Sequence, residues 1–190
     1  GIGNFIKEIS RRLNSEQILL NQESDNLNFD MPNKLTSEFG IYGHLRRLIW
    51  TQFSLPYLLK KYKINYLFSP IPEAPLGKNI KTIIFVHDLI PLLFPELSFA
   101  TLYYKFWLPK ILNNSDLILC NSTATSTQIK NIIGIPLNKI KVIPLGVNQK
   151  AKLKEKQRIN YDFLILGRHA NHKNIEAAIE ALSLLKENKK

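Results

Sequence analysis

Lys81-Thr82-Ile83-Ile84-Phe85-Val86-His87-Asp88 decides how the rest of the chain is read. A β-branched and apolar run of this length has the pattern of a buried strand, and it stops at an imidazole followed by a carboxylate. Working outward, three more strand patterns flank it: Asn65 to Phe68 ending at Ser69-Pro70, Asp116 to Cys120, and Lys139 to Ile143 ended by Pro144-Leu145-Gly146. A further short strand is expected over Gln17 to Leu20. Helical patterns separate them. Asn4 to Leu13 sets Phe5, Ile6, Ile9 and Leu13 on one side, and His44 to Tyr62 is a long amphipathic helix that Pro56 must kink or divide. Leu97 to Leu112 is rich in aromatics, and Thr123 to Ile133 has Ser122 as N-cap and Gly134 at C′. Strands and helices alternating in this way imply an α/β fold, a parallel sheet covered on both faces. In such a sheet His87 and Asp88 emerge at the carboxyl edge, where open α/β sheets bind ligands.

A second stretch has the same logic. Tyr161-Asp-Phe-Leu-Ile-Leu-Gly167 reads as an apolar strand, Arg168 and Lys173 follow it, and an amphipathic helix begins near Asn174. Two cations at a strand-to-helix turn, together with free helix amides, form a place for phosphate. Between the two parts, Asn148 to Asn160 is polar, charged and without periodicity. The chain therefore divides into a domain over 1–147, a linker over 148–160 and the opening of a second domain over 161–190, whose single strand and helix cannot bury their own apolar faces.

The 190 residues are 45% hydrophobic and 22% charged, enough for one core with some chain to spare. No run approaches a membrane span, and no leader precedes Gly1, so the natural N-terminus and the first strand of the sheet are expected to be missing. One cysteine, Cys120, cannot make an internal disulfide; it reads as a small buried hydrophobe in a reducing compartment. The net charge of +11 admits nucleic acid, an anionic membrane or phosphorylated small molecules as partners. No nucleic-acid motif accompanies it, so nucleic acid is not expected. From Ile41 to Pro72 there are Arg46, Arg47, Lys60, Lys61 and Lys63 and no acid. That helix is either packed on the sheet with its cations in water or in contact with anionic lipid.

Single residues leave alternatives at this level. Gly1-Ile2-Gly3 is either a simple turn or a set of amides facing a diphosphate. His87 and Asp88 are either a ligand-facing pair, with Asp88 orienting the imidazole, or a capping pair at a strand end. Arg168 and Lys173 are either solvated loop cations or phosphate ligands. His169 and His172 lack a carboxylate or cysteine partner, so no metal is expected. The chain also has no Asp-x-Asp pair.

Several segments, in order, resemble the group 1 (family 4) glycosyltransferases. These are Gly1-Ile2-Gly3-Asn4-Phe5, Trp50-Thr51-Gln52 with Leu55-Pro56, Ser69-Pro70 with His87-Asp88-Leu89-Ile90-Pro91, Ser115 to Ser122, Ile140 to Val147, and Leu164 to Asn174. Thr51 stands where the family's related branch has an acid. The resemblance implies a GT-B fold: two Rossmann-like domains facing across a cleft, with retaining transfer of a hexose from a nucleotide-sugar donor. The acceptor would be a saccharide or a lipid-linked saccharide, in polysaccharide or glycolipid biosynthesis. It implies that His87, with Asp88, contacts the transferred sugar. Gly1, Gly3, Arg168 and Lys173 would face the donor diphosphate. No cofactor or metal is implied. The location would be cytoplasmic, with peripheral contact at the inner face of the plasma membrane left open. The family's pair of donor-binding glutamates has no counterpart after Asn174, so the chain by itself is expected to be inactive or nearly so. The alternative is a non-catalytic module that binds a phosphorylated ligand or an anionic membrane.

Overall fold

The computed structural model describes residues 2–12, 32, 35, 39–77, 80–146, 163–167 and 170–187. The strand expected over Gln17–Leu20, the linker 148–160, and Gly1 and Arg168 lie outside the described residues. The chain forms two compact units, Gly1–Leu145 and Gly146–Lys190.

In the first unit, β1 (Tyr66–Ser69), β2 (Lys81–Val86), β3 (Leu117–Cys120) and β4 (Ile140–Val142) lie side by side in that order, all parallel. The register sets Ile84 against Ile118 and Val86 against Cys120. These four side chains are fully buried on one face, with Leu108, Ile111 and Leu112 in the same cluster. β2 was readable because both its faces are covered: Phe85, on the opposite face, is also buried, and its ring lies 4.6 Å from that of Phe5. Phe5 belongs to α1 (Ile2–Arg12). Strands buried on both sides lose the polar alternation and read as apolar runs.

The helices between β2 and β3 correct one expectation. Instead of a single helix over Leu97–Leu112 there are two, α5 (Phe99–Phe106) and α6 (Leu108–Asn114), preceded by a short α4 (Ile90–Leu93). The Ser98 hydroxyl accepts the Thr101 N–H at 3.2 Å and starts α5. Pro109 lies in the first turn of α6, where its missing N–H costs nothing, and it marks the break at Trp107.

Before β4, α7 (Thr123–Gln128) runs into a π turn, Ile129–Ile133. Ser122 caps α7 by accepting the Thr125 N–H at 3.1 Å, and Gly134 ends the segment in the left-handed region at φ 85°.

Ahead of the sheet, the expected helix His44–Tyr62 begins earlier. It consists of α2 (Gly40–Ile49), a π turn (Trp50–Ser54) and α3 (Leu55–Lys61). Pro56 sits in the first turn of α3, and the irregularity falls on the turn before it. No helix among the described residues is long and apolar enough to cross a membrane.

In the second unit, residues 163–167 form no strand, contrary to expectation. A strand exists only as part of a ladder, and among the described residues of this unit there is no other strand to pair with. A short 3-10 turn, Asn171–Lys173, then leads into α8 (Ile175–Glu187).

Truncation of the buried Ile118 to Ala should cost about 2–5 kcal/mol, whereas Ser122→Ala should cost about 1 kcal/mol. Urea denaturation monitored by circular dichroism measures both. Equal small losses would show that the sheet face at Ile118 is not the core.

Candidate functional site

Because all four strands are parallel, their carboxyl ends share one edge, and Ser69, His87 and Asn121 lie along it. The stretch that leaves β1 at this edge, Pro70-Ile71-Pro72-Glu73-Ala74-Pro75-Leu76, contains three residues without an N–H and forms no helix or strand. Its carbonyls are met by side chains from around it. His87 Nε2 lies 3.0 Å from the Pro70 oxygen. The Tyr103 hydroxyl donates to Pro72 at 3.0 Å and Asn114 Nδ2 to Leu76 at 2.8 Å. Gln52 uses both ends of its amide, Nε2 donating to the Ala74 carbonyl and Oε1 accepting the Leu76 N–H, each at 3.0 Å.

Glu73, in the middle of this stretch, pairs with Arg47 of α2 at 2.8 Å, and both side chains are largely buried. Burial pushes the Glu73 carboxyl up, and the Arg47 charge and hydrogen bond only partly reverse this. The same guanidinium lies 3.2 Å from His44 Nδ1. An arginine only donates, so His44 accepts there and is neutral. Burial first and Arg47 second hold His44 below its ordinary value. Burial also raises Tyr103, with Glu73 adding to the shift. Together these side chains line a cavity of about 10 Å³, room for roughly one water.

His87 is fixed by the same loop. A carbonyl oxygen only accepts, so the hydrogen lies on Nε2 and points at Pro70; in the neutral ring Nδ1 is then an acceptor. Phe5 meets the imidazole edge-on at 5.0 Å and Phe85 lies 4.6 Å away at a tilt. Of the two parts left open for Asp88, its hydrogen bond is that of a cap. Its Oδ1 accepts the Ile90 N–H at 3.0 Å and starts α4, and among the described residues no hydrogen bond joins it to His87. The ring is oriented by Pro70 instead. Tyr104 is raised by burial and, next, by the Asp88 carboxylate, which therefore lies near it.

Gly3 is not in a loop. It stands in the first turn of α1, exposed, with nothing within 4 Å of where a Cβ would be. Its N–H is one of those that an α-helix leaves without an internal partner. Phe5, two residues on, brings that turn beside His87. The fold thus unites two segments that are 82 residues apart in the chain, counted from Phe5 to His87.

In the second unit Lys173 is exposed at the end of the 3-10 turn, and its N–H donates to the Ala170 carbonyl at 2.8 Å. Asn174 follows at φ 47°, the left-handed region that asparagine tolerates, and α8 starts at the next residue. Gly167 packs on that start: a Cβ there would meet Ile175 Cδ1 at 3.4 Å.

The family model for Glycosyltransferase Family 4 matches residues 1–150. The chain belongs to this family. It is also similar to the O-antigen chain mannosyltransferase RfbU of Salmonella typhimurium, at 28% identity over 154 residues, which is 79% of this chain and 42% of that protein. The chain thus spans less than half the length of this relative. No solved structure matches it.

Sequence reasoning missed Gln52, Glu73 and Tyr103 as the residues that hold the loop. For Gln52 the signal was present in Trp50-Thr51-Gln52, but nothing local shows that its amide matches a backbone pair more than twenty residues away. For Glu73 the signal was obscured by its position: the acid-free segment ends at Pro72, and the partner of Arg47 is the next residue.

Gln52→Leu should destabilise the chain by about 1–3 kcal/mol, since it leaves the Ala74 carbonyl and Leu76 N–H without their partner. A loss below a few tenths in urea denaturation would show the clamp to be dispensable. Glu73 has a second, pH-dependent signature. Its folded value is raised, so the folded chain holds the proton more tightly than the unfolded one. That contribution is complete at pH below the ordinary glutamate value and is lost as pH rises through the folded value. The stability of the native chain relative to Glu73→Gln should therefore fall over that window. A difference that grows with pH would reverse the sign and refute the assignment.

Proposed function

We propose that the chain is the acceptor-side domain, with the beginning of the donor-side domain, of a retaining hexosyltransferase of GT-B architecture. In this reading residues 1–147 form the first domain, 148–160 the linker and 161–190 the opening of the second. The donor is a nucleotide-sugar, and the acceptor is a saccharide or a lipid-linked saccharide in polysaccharide or glycolipid assembly. Mannose is the first sugar to test, because it is named in the Salmonella relative. The observation that carries the reading is the meeting of the first turn of α1 with His87 at the carboxyl edge of the sheet, in a chain of this family.

In this reaction the bond between the sugar's anomeric carbon and the donor phosphate breaks. A new bond to the acceptor oxygen forms on the same face, and the proton of the acceptor hydroxyl leaves with the departing nucleoside diphosphate. His87 fits a positioning contact. With Nε2–H held by Pro70, Nδ1 is left to accept a hydrogen bond from a hydroxyl of the transferred sugar. Asp88 supports it at one remove by fixing the start of α4. Gly1 and Gly3 would supply amides of the α1 terminus to the diphosphate, where the helix dipole favours negative charge. Arg168 and Lys173 would bind donor diphosphate and stabilise the charge that develops as the nucleotide departs.

Charge-assisted hydrogen bonds are worth about 1.5–3 kcal/mol each. Lys173→Ala in the whole gene product should therefore lower kcat/KM for the donor by about ten-fold or more. His87→Ala should lower it by a comparable factor through the lost sugar contact, with the binding of free nucleoside diphosphate unchanged. The assay is transfer from labelled nucleotide-hexoses to saccharide and lipid-linked acceptors. Unaltered donor kinetics in both variants would remove the assignment. Binding of donor by the whole gene product without any transfer would favour the non-catalytic module instead.

A further inference from the structure

The amino edge of the sheet, opposite the edge that carries His87, has no part in the site described above. Between the starts of three strands it holds a depression of about 550 Å³. Ile64 and Asn65 form it ahead of β1, Ile80 and Lys81 at the start of β2, and Asn113 to Asp116 ahead of β3. That volume lies within the range of small-molecule sites, about 300–1,000 Å³. Most such sites are apolar, whereas here only Ile64 and Ile80 are. The rest of the lining is amide, hydroxyl, carboxylate and ammonium.

Three of these side chains are held in place by one polar atom each, and each leaves an oxygen over. Asn113 Nδ2 donates to the Pro109 carbonyl at 2.9 Å, and Asn114 Nδ2 to the Leu76 carbonyl at 2.8 Å. Asp116 Oδ2 accepts the Thr82 N–H at 2.7 Å, and the Asp116 N–H returns a bond to the Thr82 carbonyl at 2.9 Å. Among the described residues, nothing donates to Asn113 Oδ1, Asn114 Oδ1 or Asp116 Oδ1. The fold thus presents three fixed acceptors, which a ligand need not order. Their partner must bring donors. A metal or an ammonium group would meet the charge of Lys81 and of Lys139, whose Nζ donates to the Asn113 carbonyl at 2.7 Å. Lys81 Nζ already lies over the Tyr66 ring, 5.4 Å from its centre. An anion would meet the Asp116 carboxylate. Neutral donors remain, and several hydroxyls on one compact frame match several oxygens across one depression.

We infer that the depression at the amino edge is a saccharide-binding subsite. It takes a neutral sugar unit whose hydroxyls donate to Asn113, Asn114 and Asp116 while its C–H face lies against Ile64 and Ile80. Lys81 and His87 are separated by the length of β2, about 20 Å at roughly 3.3 Å per residue. No single sugar reaches from one edge to the other, so the unit held here is not the one that reacts. The subsite holds an oligosaccharide through a unit remote from transfer. It goes beyond the transferase reading and does not need it, since binding here requires neither donor nor His87.

Titration of the native chain with mannotriose, maltotriose and lactose, followed by proton–nitrogen NMR, tests the inference. At least one of the three should bind saturably and shift the side-chain amide signals of Asn113 and Asn114, with that of Gln52 unmoved. Asp116→Asn keeps an oxygen for the Thr82 N–H and turns the spare oxygen into a donor. It should weaken binding by about ten-fold, as should Asn113→Ala, the factor for one lost hydrogen bond of this kind. Asn113 is exposed, so circular dichroism and the urea midpoint of that variant should be unchanged. His87→Ala should leave the binding intact. Absence of binding by all three sugars, binding that both variants leave unaltered, or shifts confined to the surroundings of Gln52 and His87 overturns the proposal. Calcium ion that shifts the same amides where the sugars do not, and is lost with Asp116→Asn, also overturns it by making the depression a cation site. In the whole gene product, Asn113→Ala should raise KM for a long saccharide acceptor several-fold and leave transfer to a monosaccharide acceptor unchanged. Sugar binding at the depression without any transfer by the whole gene product would remove the transferase reading and support the subsite.

Discussion

A proline-rich connection cannot satisfy itself. Pro70, Pro72 and Pro75 donate nothing, and the stretch joins parallel strands that elsewhere in this sheet are connected through helices. Its carbonyls must find donors or remain stranded against the protein, at a cost of about 1–3 kcal/mol for each buried group. The donors are Gln52 from the π turn, His87 from the end of β2, Tyr103 from α5 and Asn114 from α6. One loop thereby fixes the relative positions of four elements, and the carboxyl edge of the sheet owes its shape to that. The Arg47–Glu73 pair belongs to the same system. It is not a gain in itself, since burial holds Glu73 up against the pull of the arginine. Its geometric effect is clear, because the pair sets where α2 crosses the loop.

This accounts for how much of the molecule was legible in its residues. β2 could be read to its last residue because a strand covered on both faces needs apolar side chains at every position, and that requirement is local. The cap at Ser122 and the stop at Gly134 are also local, a hydroxyl and a missing Cβ. Helix breaks were less visible. Leu97 to Leu112 keeps an apolar period through Trp107, and Pro109, which marks the break there, is as compatible with a kinked helix as with the start of a new one. The apolar run ending at Gly167 shows the opposite failure. Its composition is that of a strand, but composition cannot supply the neighbour that makes one.

The site divides along the same line. That His87 lies at the carboxyl edge was readable, because a strand end in a parallel sheet is a predictable place. Its tautomer was not predictable, because it depends on a carbonyl seventeen residues earlier whose direction is set by the loop. For Asp88 two readings were left open, and its hydrogen bond follows the capping one, since an aspartate next to a helix start can meet an N–H two residues on more readily than the ring beside it. Gly3 read either as a turn residue or as part of a set of amides facing a diphosphate. In the fold it is helical, and its openness comes from lacking a side chain at an exposed helix start rather than from unusual dihedral angles.

The π turn at Trp50–Ser54 connects the loop to the outer surface. An irregular turn weakens a helix, and Pro56 alone would have accounted for a kink. What the extra residue accomplishes is phase. With it, Arg47 and Thr51 face inward on the same line as Leu55 and Leu59, and Gln52, next to Thr51, reaches Ala74 and Leu76. Phe53, on the opposite side of that turn, stays in line with Ile49 and Tyr57. A regular helix could have satisfied one half or the other, but not both over this length. The side chains that hold the loop and the side chains that face outward are therefore tied by one backbone feature, and the orientation of the outer row relative to His87 is fixed by the clamp that Gln52 makes.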